Sequence, residues 1–335
     1  MVAAGRQPKL PKTLYLETTN RCNLCCKGCI QYRGRWEPER DLALKELLMI
    51  TSQLPELERA VLHGIGEPLL NKMLPEMIRQ LKQRGIYVLF NSNGILLNVR
   101  WQEELMDAGL DELRISLDAS SPEGYRMVRN SDAFDRIVAN LRRFSDTLSR
   151  SRITRPKLSL WFLATRENLP ELPGLIKLAA DIGVAEVYLQ RLVYFQDNNG
   201  YGLARRNHSV MDGTENAMEP IERSQELAAG LGVTFKASGR STPLSSLHGH
   251  DTVPAPWRQC YRPETLAYIT ATGNVLPCCI SPFATIDYEA IVLGNVFAAP
   301  LADIWYGSKY QSFRQRRQTG APPVCCRGCG MSWSL

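Results

Sequence analysis

Ten cysteines carry most of the chemistry available to this chain, and they fall in two groups. Cys22, Cys25, Cys26 and Cys29 sit together near the start, and Cys260, Cys278, Cys279, Cys325, Cys326 and Cys329 all follow residue 259. The stretch between Cys29 and Cys260 contains none. Cysteines scattered through a core would not leave that gap. In a chain without an export signal, clustered thiols read as metal or redox ligands rather than disulfides. Two metals compete for the first group. A structural zinc closes on four ligands, and Cys25 could supply the fourth. Iron–sulfur clusters are also held by thiolates. Spaced as Cys22-x3-Cys26-x2-Cys29, three thiolates can hold three irons of a four-iron cluster and leave the fourth iron open to a substrate or cofactor.

The elements that must position these thiols alternate along the chain. Short apolar or β-branched runs at Leu14–Glu17, Ala60–His63, Tyr87–Asn91, Glu112–Leu117, Lys157–Leu163 and Glu186–Leu192 predict six strands. Amphipathic spacing predicts helices over Leu42–Gln53, Lys72–Arg84, Trp101–Ala108, Ala133–Leu148 and Leu169–Asp181. Gly85, Gly109 and Gly183 stand where C-terminal caps are expected. Strands alternating with helices imply a parallel sheet, here an α/β partial (β/α)6 barrel, with chemistry at the carboxyl ends of the strands. The first cysteine loop follows the first strand and so lies at that end. Residues 197–216 are polar and rich in Gly and Asn, a loop that could act as a lid. The composition changes near 235, which divides the chain into an extension over 1–11, a barrel over 12–235 and a cysteine-bearing domain over 236–335.

Composition narrows the class. The 335 residues are 44% hydrophobic and 22% charged, ordinary globular usage, with a net charge of +6. That charge is too small and too dispersed to indicate nucleic acid. No run approaches the ~18 apolar residues of a membrane span, and the start lacks a signal peptide, so a cytoplasmic location is expected. His248 and His250 read as a solvated loop, and Arg314, Arg316 and Arg317 as a solvated helix face or a dock for an acidic electron carrier. Glu17, just before the cluster loop, is a candidate to face substrate.

The cysteine triad after a first strand resembles the signature of radical S-adenosylmethionine (SAM) enzymes. His63-Gly-Ile-Gly-Glu-Pro68 resembles that family's Gly-Gly-Glu motif, and Asn91-Ser-Asn-Gly94, Ile115-Ser-Leu-Asp118 and Arg166-Glu-Asn168 follow in the family's order. Cys260-x12-Gly273-x4-Cys278, Leu293-Gly-Asn-Val296, Trp305 and Cys326-x2-Cys329 resemble the auxiliary-cluster extension called SPASM, in its shortened twitch form. The C-terminal part is then expected to be a small β-hairpin/helix iron–sulfur domain.

The resemblance implies a 4Fe–4S cluster on Cys22, Cys26 and Cys29 that binds SAM and cleaves it reductively to a 5′-deoxyadenosyl radical, which abstracts hydrogen from substrate. It implies an auxiliary 4Fe–4S cluster on Cys260, Cys278, Cys326 and Cys329, and a flavodoxin or ferredoxin-type electron donor. SAM contacts are expected from Gly64, Gly66, Glu67, Asn91, Asn93, Ser116, Asp118 and Arg166. Glu67 would accept from the methionyl amine, and 116 and 118 share a strand face. Family members often place an aromatic or histidine where Gly28 stands; Tyr32 could substitute. Cys25, Cys279 and Cys325 are spare thiols, either buried small residues or hydrogen-atom donors to a substrate radical. Because the cluster loop begins at residue 22, leaving no preceding leader-binding domain, a sugar, nucleoside or related small metabolite is the expected substrate, with a peptide or protein as the alternative.

Overall fold

Hydrophobic alternation decides which way each strand faces. In β1 (Thr13–Leu16), Leu14 and Leu16 are fully buried in the apolar core, while Tyr15 between them lines an interior cavity. The same division holds in β2 (Arg59–Val61), β3 (Tyr87–Ser92), β4 (Glu112–Ser116), β5 (Lys157–Ala164) and β6 (Glu186–Arg191). Ala60, Val88, Phe90, Leu113, Ile115, Leu160, Phe162, Val187 and Leu189 join one continuous core. Asn91, Arg114, Ser116, Trp161 and Tyr188 turn inward to the cavity instead.

Seven helices cover the outer face: α1 (Leu44–Ser52), α2 (Leu74–Gln83), α3 (Val99–Asp107), α4 (Pro122–Arg129), α5 (Phe134–Arg150), α6 (Leu172–Asp181) and α7 (Met218–Leu231). Leu74, Met77, Ile78 and Leu81 of α2 lie on one stripe and are fully buried. Each such side chain contributes roughly 1.5–3 kcal/mol of transfer free energy. Gly85, Gly109 and Gly183 follow their helices at φ +71°, +77° and +73°, the left-handed caps their positions require.

The computed structural model describes residues 8–32, 36–194, 202–210, 218–237, 242–246 and 255–327. Cys329, His248 and His250 lie outside the described residues, as does part of the 197–216 loop.

A seventh strand, β7 (Thr234–Ala237), pairs parallel with β6, so the division expected at 235 falls inside a barrel strand. Three more strands follow: β8 (Leu266–Ile269), β9 (Asn274–Leu276) and β10 (Gly294–Asn295). β8 runs parallel to β1 and pairs with it from Thr13↔Leu266 to Leu16↔Ile269. One ten-stranded sheet results, in the order β10-β9-β8-β1-β2-β3-β4-β5-β6-β7. The fold is a partial barrel whose sheet is extended by the C-terminal hairpin. That hairpin turns at Gly273, whose φ of +86° is the turn conformation its sequence signals.

Two helices follow, Leu301–Tyr306 and Ser308–Arg317, parted at extended Gly307, where a Cβ would lie 2.6 Å from the Asp303 carbonyl. One sequence expectation in this part changes. Arg314 and Arg317 do not form a solvated face. Arg314 stacks over Trp305 and Tyr310 and donates to the carbonyls of Pro263 and Trp305, and Arg317 pairs with Glu264.

Candidate active site

Every strand from β1 to β7, or the turn directly after it, sends a side chain into one cavity of about 910 Å³. Cys22, Cys26 and Cys29 line it, together with Gly64, Gly66, Glu67, Asn91, Asn93, Ser116 and Asp118. Alternation brings 91 with 93 and 116 with 118 to the inner face, as expected from strand periodicity.

The loop that holds the three thiols is closed by its own backbone, since Cys29 N–H donates to the Cys26 carbonyl at 3.0 Å. Burial above all pushes the Cys29 thiol up to about 12 and the Cys22 thiol up to about 11, with charge on Cys26 acting in the same direction on both and Glu67 on Cys22. Thiols crowded so that each ionised one opposes the next form a donor set that a bound cation stabilises as thiolates. These residues therefore fit an iron-bearing cluster. Among the described residues, no group of three His, Cys, Asp or Glu side chains closes on a single metal ion.

The glycines of the His63–Pro68 turn are small because protein covers them. A Cβ on Gly64 would lie 2.1 Å from the Glu17 side chain, and one on Gly66 would lie 2.1 Å from the Thr19 carbonyl. Glu67 is buried, and its carboxylate already accepts three bonds: from Leu69 N–H and Ser92 Oγ at Oε1, and from Asn93 N–H at Oε2. It thus ties the β2 turn to the end of β3. Burial pushes this carboxyl up against the pull of those bonds. Asn93 is similarly engaged, donating to Asn23 of the cluster loop and accepting from Ile95 N–H. Asn91 differs, because its buried Oδ1 has no hydrogen-bond partner among the described residues. Ser116 completes the inner face beside Trp161, its register partner in β5. Arg166 does not line the cavity. It is exposed, and its backbone and side chain donate to the carbonyls of His208 and Ser209. It anchors the 202–210 segment, whose Leu203 N–H bonds the Lys27 carbonyl of the cluster loop.

Several cavity residues carried no individual signal in the sequence. Arg129, at the end of α4, places one terminal nitrogen 2.5 Å from Asp118 Oδ2 and the other 3.7 Å from Cys26 Sγ. Burial pushes Asp118 up, opposed by Arg129. α4, at eight residues, is too short for periodicity alone to mark it as a helix. Its signal was the start: Ser121 Oγ caps Gly124 N–H, and Pro122 occupies the first turn. His63 accepts from Asn91 N–H at Nδ1, so its ring proton sits on Nε2, and burial holds its pKa near 3. On the far wall Trp161 stacks on Tyr188 with centroids 4.6 Å apart, and Arg114 lies over Trp161.

Glu17 does not line the main cavity. Its carboxylate accepts from the Tyr268 hydroxyl at 2.6 Å and from Ile65 N–H at 2.9 Å. Of the spare thiols, only Cys279 lines the cavity, beside Tyr15 and Arg262. Cys25 is exposed and faces the Gln31 carbonyl; Cys325 is buried 4.0 Å from the Cys326 sulfur. Burial pushes the Cys278 thiol up, and charges on Cys279, Cys260 and Cys326 act in the same direction.

The profile of the Radical SAM superfamily matches residues 16–155, and that of the SPASM iron–sulfur cluster-binding domain matches residues 260–330. A Pyrococcus furiosus tungsten-containing aldehyde ferredoxin oxidoreductase cofactor-modifying protein is 27% identical over 94% of this chain and 86% of its own. A PqqA peptide cyclase from Granulibacter bethesdensis is 26% identical over 95% of this chain and 79% of its own. Streptococcus suis SuiB bound to SAM superposes with a TM-score of 0.71 at 15% identity, covering 96% of this chain and 73% of that one. The peptide cyclases overturn the expectation of a sugar, nucleoside or other small metabolite as substrate. The cysteine and glycine motifs that made the family legible carry no information about what else enters the cavity. No helix among the described residues is long and apolar enough to cross a membrane. The chain carries a radical SAM domain over residues 16–155 and a C-terminal SPASM iron–sulfur cluster-binding domain over residues 260–330, the architecture of a radical SAM enzyme.

Proposed function

We propose that this enzyme modifies a peptide, oxidising or cross-linking it by hydrogen abstraction from an unactivated C–H bond. The observation that carries this reading is the match to peptide cyclases over 95% of the chain, which runs through the barrel into the C-terminal domain. When bound, the cluster and SAM supply a 5′-deoxyadenosyl radical by one-electron cleavage. Cys22, Cys26 and Cys29 would hold that 4Fe–4S cluster.

The chain's own residues then bind, orient and exclude water. Gly64, Gly66, Asn91, Asn93, Ser116 and Asp118 surround the cofactor, with the unpartnered Asn91 oxygen available to one of its donors. Glu67 acts at one remove, by fixing the β2 and β3 turns. Trp161, Tyr188 and Arg114 form the wall that meets the peptide. Cys260, Cys278, Cys326 and Cys329 would hold one auxiliary 4Fe–4S cluster, which would supply one-electron redox chemistry beside the cavity. Cys279, next in sequence to Cys278, lines the cavity. A flavodoxin or ferredoxin-type protein delivers the reducing electron. In this reading the barrel part extends past 235 to the end of β7.

The test is anaerobic turnover of reconstituted enzyme with SAM, a chemical reductant and a synthetic peptide library. Peptides should stimulate 5′-deoxyadenosine formation, and a modified peptide should lose two hydrogens by mass. Stimulation by sugars or nucleosides, with every peptide inert, overturns the reading.

A further inference from the structure

Arg129, the last residue of α4, sets a cation against the first cysteine loop. Its side chain is 16% exposed and Asp118's is 1%. One terminal nitrogen lies 3.7 Å from Cys26 Sγ, within reach of a sulfur acceptor, and the other lies 2.5 Å from Asp118 Oδ2. Arg129 also acts electrostatically on Cys22 and Cys29. The arrangement is held rigidly. Val128, one residue earlier, accepts from Lys27 N–H of the cluster loop through its carbonyl, so the end of α4 and the loop are tied together. At its other end α4 is fixed by Ser120 and Ser121, which both donate to Glu171.

We propose that Arg129 is a positioning residue that raises the reduction potential of the SAM-binding cluster through Cys26, and that Asp118 limits how strongly it does so. This rests on the assignment of Cys22, Cys26 and Cys29 to that cluster. Reduction adds one negative charge to the cluster and its thiolates. A hydrogen-bond donor and positive charge at a ligating sulfur stabilise the reduced form more than the oxidised one. In a buried site this bias is screened far less than in water. The Asp118 carboxylate opposes it from the other side of the guanidinium. Two residues eleven positions apart, one at the end of α4 and one just after β4, would thereby set how readily the cluster accepts its electron.

The experiment is an EPR-monitored redox titration of reconstituted holoenzyme without SAM. The first cluster is identified by the signal that changes when SAM is then added, and iron content is measured for each variant. Arg129→Gln should shift the midpoint to more negative potential, Arg129→Lys should shift it less, and Asp118→Asn should shift it to more positive potential. An unchanged midpoint in Arg129→Gln with iron retained, or shifts of the same sign in Arg129→Gln and Asp118→Asn, overturns the proposal. If Arg129→Gln loses its iron, the sign of the Asp118→Asn shift decides. Iron content unaffected by Cys26→Ala overturns the underlying cluster assignment instead, and is read separately from the potentials.

Discussion

The Tyr268 hydroxyl donates to Glu17 Oε1 at 2.6 Å and so joins the carboxyl end of β1 to β8, across the whole length of the barrel sequence. Burial raises the Glu17 pKa from 4.5 to about 7, and the Tyr268 bond partly opposes that rise. A carboxyl that binds its proton more tightly when folded adds stability that is complete below about 4.5 and is lost as pH rises through about 7. The difference is on the order of 3 kcal/mol. Thermal melts from pH 5 to pH 8 should therefore show a fall that Glu17→Gln flattens. Tyr268→Phe should carry the fall to higher pH, because the opposing bond is gone. Parallel pH profiles in the unaltered protein and Glu17→Gln would remove Glu17 as the cause.

Glu67→Ala should damage folding before it damages catalysis. It strips the acceptor from Leu69 N–H, Ser92 Oγ and Asn93 N–H at a buried site. Buried donors left unpaired cost roughly 1–3 kcal/mol each where water cannot reach them. Denaturant unfolding should show a loss of about 3 kcal/mol or more, whereas Glu67→Gln, which keeps one acceptor oxygen, should lose less. A variant of unaltered stability with weakened SAM binding would instead place the carboxylate on the cofactor.

Gly202 presses the 202–210 segment against the cluster loop. It adopts φ +48°, and a Cβ there would lie 2.0 Å from the Lys27 carbonyl. Gly202→Ala should push the two backbones apart, at a local cost of roughly 1–3 kcal/mol, and expose the loop. Iron loss to a chelator, followed by absorbance, should quicken severalfold. An unchanged rate would show that this contact does not protect the site.

Anaerobic reconstitution should load about eight irons per chain, four for each cysteine-held cluster. Replacing Cys22, Cys26 and Cys29 together by Ala should leave about four, and Cys25→Ser and Cys325→Ser should leave the total unchanged. Iron and sulfide analysis reads all three outcomes. A total near four in the unaltered protein would eliminate one cluster.

What the sequence by itself determined is local. The spacing of Cys22, Cys26 and Cys29 is a property of one short loop, and alternation along Glu112–Leu117 or 3.6-residue periodicity along Lys72–Arg84 reflects neighbours a few positions away. Those elements are present within a residue or two at each end. The turn at Gly273 and the cap at Gly85 were legible for the same reason, since each depends on one residue's backbone freedom.

Tertiary structure decided everything that rests on distant partners. β8 lies against β1 because of a register between residues some 250 positions apart, and no local pattern encodes that pairing, so the barrel and the C-terminal hairpin looked separable. Glu67 and Arg166 had the right chemistry for a cofactor contact, but nearby donors and carbonyls claimed them in the folded chain. Arg314 and Arg317 read as a solvated run until the fold supplied buried carbonyls, rings and Glu264 to receive them. Arg129 was one arginine among many until a short capped helix set it between Asp118 and Cys26. A residue type specifies which bonds a side chain can make; only packing determines which partners come within reach, because burial removes water as the alternative.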